Sequence, residues 1–364
     1  MDGLDQQDDP AERHARVRAA FRRQSAACGK LGSPFTASLL TLLADRFSDD
    51  NAVGKTILNW PGDPIADALA LRTAGALHAL VLKGESKGLI DVYPPNPLDE
   101  KTLRPAVREA IDAHAEAILR FIASPPQTNE VARSAALAGG FFTIAALTSL
   151  PLDIFEIGSS AGLNLHWDRF GYQLGSLDVR RTTGRPLLAP SWEGPPLPAV
   201  DAVVDERAGC DRAPIDSRSE DDVIRLRAYI WADQADRLAR LDQALAVMRS
   251  SSIQIERADA ADWASRRLAE RREGVTTVLF HSIVWQYIDK ASRKHLEHTI
   301  EETGRRAEKR SPFAWLRMEP ETPKAAALRL TLWPDGEQLY LADVDYHGSW
   351  IRWRLEPDTL RSWP

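Results

Sequence analysis

Groups able to do chemistry crowd into one short stretch, LDIFEIGSSAGLNL at 152–165, which holds the carboxylate Glu156 and the glycines Gly158 and Gly162. An apolar run ends in the acid, turns through both glycines and resumes as an apolar segment, which predicts a strand, a tight turn and a helix start. Open α/β sheets bind ligands beyond the carboxyl ends of their strands. Glu156, Gly158, Ser159 and Gly162 are therefore expected to face a ligand, the glycines letting the main chain approach it closely. No Gly-Lys-Ser/Thr follows, which excludes a P-loop. The same turn, Gly158-Ser159-Ser160-Ala161-Gly162, also spells the hydrolase nucleophile elbow G-x-S-x-G. Ser160 with Asp259 or Glu319 and His347 would supply a triad in the order serine, acid, histidine. The elbow normally follows several strands, whereas the chain before residue 152 reads as helical, and this argues against the hydrolase.

Further polar groups stand at predicted element ends. SIQIERADAADW closes a strand in Asp259, which serves equally well as a helix cap. TTVLFHSIVWQY is a buried strand running into His281, Gln286 and Tyr287, and His281, of a residue type that titrates near pH 6.5, is the candidate base. Gln127, Asn129, Glu130 and Arg133 offer several hydrogen-bonding side chains just before a helix, where Thr128 or Asn129 would also cap it and Glu130 would favour its positive end. Asn164, Asp168 and Arg169 follow the glycine turn, and Glu319 follows the strand FAWLRM. The histidines are scattered without metal-ligand spacing, so no metal is expected.

The elements that must position these groups fall into two textures. Residues 11–150 read as a helical N-terminal domain, broken by Gly32-Ser33-Pro34, by Trp60-Pro61-Gly62-Asp63-Pro64 and by Tyr93-Pro94-Pro95-Asn96-Pro97. From 151 to 356 short apolar strands alternate with helices, which implies a mostly parallel sheet. Strands are expected near 152–157, 253–258, 275–282 and 312–318, then an antiparallel pair at 327–333 and 338–345 and a last strand at 349–354. A helix is expected over 130–150 and another over 234–249. The Pro-, Gly-, Arg- and Asp-rich stretch 175–217 is expected to be an insertion over the site.

Composition narrows the functions. The 364 residues are 44% hydrophobic and 27% charged, enough for a full core in two folding units or one enlarged domain. A net charge of -6 argues against a non-specific nucleic-acid or anionic-membrane binder and favours a small-molecule or protein partner. Cys28 and Cys210 are too few for a disulfide scaffold. The N-terminus lacks the apolar core of a signal peptide, and no apolar run approaches the roughly 18 residues of a membrane span. A cytoplasmic location is the expectation.

The order of these motifs resembles the class I S-adenosylmethionine-dependent methyltransferases. That resemblance implies a Rossmann-like sheet whose terminal antiparallel strand inserts into an otherwise parallel order, with S-adenosylmethionine as cofactor. It implies that Glu156, Gly158, Ser159, Gly162 and Asn164 hold the methionine and ribose parts and that Asp259 meets the adenine. The ribose acid is left between Asp211, in RAGCDRAP, and Asp233, with Asp211 preferred. His281 and Tyr287 would be catalytic, while Gln127, Asn129, Glu130, Arg133, Gln286 and Glu319 would line an acceptor pocket closed by the helical domain. Over nearly its whole length, through QTNEVARSAAL, EIGSSAGLNLHWDRFGY, AGCDRAPID, FHSIVWQY, WLRMEP and HGSWIRW, the chain also resembles the bacterial family called domain of unknown function 2332. The expected activity is methyl transfer to a small-molecule acceptor. A serine hydrolase and a non-catalytic ligand-binding protein are the alternatives.

Overall fold

The computed structural model describes residues 9–179 and 185–361, which divide into two compact units. The first comprises residues 1–128 and 220–239, the second 129–219 and 240–364. This differs from the boundary at residue 150 expected from sequence. The 134–148 helix belongs with the sheet, and a later segment returns to the helices.

In the first unit, proline opens two helices where its missing N–H costs nothing. These are Pro10–Lys30, whose preceding Asp9 accepts from Ala11 N at 3.1 Å, and Pro34–Arg46. Phe21, Leu39, Leu40, Leu43, Leu69 and Leu77 are buried in one core. The returning segment is held by Asp233, which accepts from Ser33 Oγ and, at 2.9 Å, from Phe35 N.

Among the described residues the second unit has twelve strands: β1 Leu152–Ile157, β2 Gly171–Leu174, β3 Leu177–Val179, β4 Leu187–Leu188, β5 Ser191–Glu193, β6 Val204–Asp211, β7 Glu256–Arg257, β8 Thr276–Ser282, β9 Phe313–Thr322, β10 Ala325–Trp333, β11 Glu337–Val344 and β12 Trp350–Trp353. Nine form one sheet in the order β5-β12-β11-β10-β9-β8-β1-β6-β7, and β3-β2-β4 form a small second sheet. From β7 to β9 every pairing is parallel, whereas β9 to β12 run as an antiparallel meander. The chain is thus α/β with a large, mostly parallel sheet.

Four expectations change here. In place of one antiparallel strand inserted into a parallel sheet, β10, β11 and β12 follow β9 in chain order as a meander, and β5 lies beyond them at the edge. The 175–217 stretch is no single insertion: it supplies β5 at the far edge and β6 beside β1. The strand expected at 253–258 shrinks to β7. A 3-10 helix, Asn164–Arg169, stands where an α-helix was expected after the glycine turn. β6 is hard to read because charged side chains occupy its entry. Arg207 there forms a bidentate pair with Asp168 at 2.6 and 2.9 Å.

All six residues of β1 are buried. Alternation sends Phe155 and Ile157 to the face covered by the Ala260–Ala269 and Lys290–Arg305 helices, where Trp263 and Leu296 join the same core. Leu152, Ile154 and Glu156 take the other face, on the side of the Ser134–Thr148 helix, which packs on β9, β10 and β11. Val131–Thr148 is long and apolar enough to cross a membrane by composition, contrary to the sequence expectation, yet 78% of it is buried within the fold. Its approach to the sheet depends on Gly140, where an added Cβ would lie 2.5 Å from Leu316 Cδ1.

Gly140→Val is therefore expected to lower stability by about 1–3 kcal/mol through overpacking. Urea denaturation should show a lower midpoint at an unchanged slope.

Candidate functional site at the strand ends

After β1 the chain crosses to β6 on one side and later returns to β8 on the other, so the sheet changes direction at β1. In open α/β sheets a crevice opens at the carboxyl ends of such strands. The residues 158–162 that leave β1 there are held from every side. Asp211, at the end of β6, accepts from Ser160 N at 2.9 Å and from Ala213 N at 2.8 Å. Asn129 accepts from Leu163 N at 2.9 Å, and Ser159 N donates to Cys210 O at 3.0 Å. Ser159 Oγ donates to Glu156 O at 2.9 Å. His166 donates from Nδ1 to Gly162 O at 3.2 Å, its pKa lowered to about 4 mainly by burial, which keeps the ring neutral.

Gly158 and Gly162 have φ near +70°, the left-handed region that favours glycine. Their missing side chains are not reserved for a ligand, as the sequence reading expected. An added Cβ would meet Val284 Cγ2 at 2.2 Å at Gly158 and Ile255 Cδ1 at 2.5 Å at Gly162. Ser160 also has positive φ, +52°, a strained backbone for a residue with a side chain.

Glu156 is 2% exposed, and its Oε2 is buried without a hydrogen-bond partner. Burial pushes its carboxyl well above the ordinary range and the charge of Asp211 adds to this, while Ser159, Arg133 and Asn164 oppose it. Asn164 itself accepts from Ser134 Oγ at 2.7 Å. Among the described residues this Oε2 meets no donor, and a buried carboxyl oxygen so placed is open to a donor or a cation.

The remaining candidates are distributed differently from expectation. Glu156 is in register with Phe280, so His281, the next residue, points to the opposite face of the sheet. His281 is fully buried. Its Nδ1 donates to Glu319 Oε1 at 2.7 Å, its Nε2 accepts from Trp315 Nε1 at 3.1 Å, and its ring stacks on Trp285 at 5.2 Å. With both nitrogens committed it is an anchor, with no free nitrogen for the general-base role expected of it. Tyr287 is 71% exposed on a short 3-10 turn and Gln286 beside it is exposed, so neither lines an enclosed pocket. Glu319 accepts through the same Oε1 from Val284 N and Trp285 N, at 3.0 and 3.2 Å, leaving Oε2 buried and without a partner.

Asp259 caps the Ala260–Ala269 helix through Ala261 N at 2.9 Å and pairs with Arg212 at 2.7 Å. Glu130, not Thr128 or Asn129, caps the Val131–Arg133 turn, accepting from Ala132 N at 3.2 Å. His347 and Arg240 lie 3.7 and 3.9 Å from its carboxylate. Arg133 donates to Tyr346 O and Ser282 O. Gln127 belongs to the first unit and Asn129 to the second, so the expected segment is divided. Asp233 is likewise in the first unit, engaged by Ser33 and Phe35, which leaves Asp211 as the acid beside β1. The acids and the histidine of the expected hydrolase triad have other neighbours. Asp259 is turned to Arg212, Glu319 to His281, and His347 lies beside Glu130.

The raised carboxyl of Glu156 has a definite sign in stability. A group whose folded pKa exceeds its unfolded value near 4.3 stabilises the fold fully below that pH and progressively less above it. Glu156→Gln keeps the neutral shape without the proton, so its melting temperature is expected to gain on the wild type as pH rises from about 4.5 to 8. Parallel melting curves with the same pH dependence would remove the buried, neutral carboxyl from the site.

No curated protein matches this chain. Residues 18–353 match the bacterial family described as "Uncharacterized protein conserved in bacteria (DUF2332)", and over that span the chain belongs to this family.

Proposed function

We propose that the second unit binds S-adenosylmethionine at the carboxyl ends of β1 and β6 and transfers its methyl group to a small-molecule acceptor. The observation that carries the reading is the pair of acids Glu156 and Asp211 at the ends of adjacent parallel strands, where the sheet changes direction, with one Glu156 oxygen lacking a partner. The cofactor supplies an electrophilic methyl on a sulfonium. The chain's part is binding and orientation, since in-line transfer gains most from holding its reactants in place.

Asp211 accepts two main-chain N–H groups and retains lone pairs suited to vicinal hydroxyls. Glu156 offers an acceptor that a cationic group would draw into its charged form. Because Ser159, Ser160, Gly162 and Leu163 already donate their amides within the protein, recognition rests on the two carboxyl groups more than on the main chain. No base is assigned.

Titration calorimetry with S-adenosylmethionine and S-adenosylhomocysteine is the direct test. Asp211→Asn is expected to weaken binding about tenfold or more, a loss of about 1.4 kcal/mol. Ser160→Ala should leave any methyl transfer largely intact, whereas loss of a nucleophile would cost orders of magnitude in rate. Absence of binding by either ligand at millimolar concentration overturns the cofactor, and labelling of Ser160 by a fluorophosphonate would restore the hydrolase.

A further inference from the structure

The face of the sheet that carries His281 and Glu319 also gathers arginines from its antiparallel half. Arg329 pairs with Glu321 at 2.9 Å, Arg352 with Glu193 at 2.7 Å and Arg354 with Asp343 at 2.7 Å. Arg317, on β9 between His281 and Arg329 in register, is the exception: among the described residues no carboxylate lies within ion-pair distance of it. Its guanidinium carbon sits 4.0 Å from the centroid of Trp315, and its Nη1 donates to Thr331 Oγ1 at 3.0 Å. Burial, and then the like charge of Arg329, lower its pKa to about 10. A half-buried guanidinium with no counter-ion is unfavourable unless something completes it.

Stacking on Trp315 fixes the plane of the guanidinium, and the single bond to Thr331 leaves Nε and Nη2 without protein acceptors among the described residues. A planar fork with free donors matches the oxygens of a carboxylate or a phosphate and can take two of them at once. We propose that Arg317 is the recognition residue of an anion-binding site on this face, taking the carboxylate or phosphate group of a small ligand. The ring cluster of Trp285, His281 and Trp315, with centroids 5.2 to 6.0 Å apart, forms the apolar flank of that site. The site is independent of the cofactor reading, because it lies on the opposite face from Glu156 and uses none of the residues assigned to S-adenosylmethionine.

Calorimetric titration of the full chain with sodium benzoate and with sodium phosphate, at constant ionic strength and without S-adenosylmethionine, tests the proposal. At least one anion is expected to bind with Kd below about 10 mM, and Arg317→Met is expected to weaken it at least about tenfold, the scale of one charge-assisted contact. Arg329→Met, which removes an already paired arginine, should change binding by less than about threefold. Binding of benzoate alone assigns a carboxylate ligand, of phosphate alone a phosphate ligand, and of both a general oxyanion site. Without anion, Arg317→Met should melt no lower than the wild type, since it removes an uncompensated charge. Should that variant fail to fold, Arg317→Lys keeps the charge but not the fork, and the same tenfold loss is expected of it. The proposal is overturned if neither anion binds the wild type, or if binding survives loss of the Arg317 guanidinium.

Discussion

One carboxylate ties the centre of the second unit together. Asp211 ends β6 and takes a main-chain N–H from Ser160, which follows β1, and another from Ala213 in its own turn. This joins two parallel strands at the point where the sheet changes direction and fixes the turn that leaves β1. The rest of the turn is then determined. Asn129 holds Leu163, Ser159 bonds back to Glu156 O, and the neutral ring of His166 secures Gly162 O. A carboxylate accepting two amides is well satisfied, so the strained backbone of Ser160 persists at modest cost.

The second constraint is steric. Glycine is required at 158 and 162 by positive φ and by Val284 and Ile255, which fill the space that side chains would take. Gly140 plays a similar part on the helix above, where contact with Leu316 brings a mostly apolar helix close to the sheet. Such close packing leaves Glu156 dry, and burial raises the pKa of a dry carboxyl. The chemical character of the strand end is thus a consequence of packing.

Alternation along the strands divides the polar residues between two faces. Glu156 belongs to one face, and His281, Arg317 and Glu319 to the other. On the second face Glu319 and Trp315 lock His281 from both sides, while Arg317 rests on the same tryptophan without a counter-charge among the described residues. Two neighbouring polar residues, both half or fully buried, therefore differ in what they can do. The histidine has no free nitrogen, and the arginine has free donors.

Some of this was legible in the residues themselves. Helical periodicity before 128, the strand 152–157, its acid and glycine turn, and the closing antiparallel strands are local patterns, set by spacing of apolar residues and by the turn chemistry of Gly and Pro. β1 accordingly falls where the sequence places it. β6 was legible only as a short strand end at Asp211, because its charged entry is neutralised by Asp168, a partner distant in the chain. Nor could the roles of His281, Asp259 and Glu130 be read from their types, since a histidine becomes an anchor or a base according to what meets its two nitrogens. The sequence favoured Asp211 over Asp233 only by its Gly-x-Asp-x-x-Pro setting, and the return of 220–239 to the first unit separates the two in space. Sequence by itself determined the strongly patterned strands, helices and turns, because those depend on neighbours a few residues away. Tertiary structure decided which side chains are dry, paired or left with open donors, because burial and partnership are set by residues brought together from far along the chain.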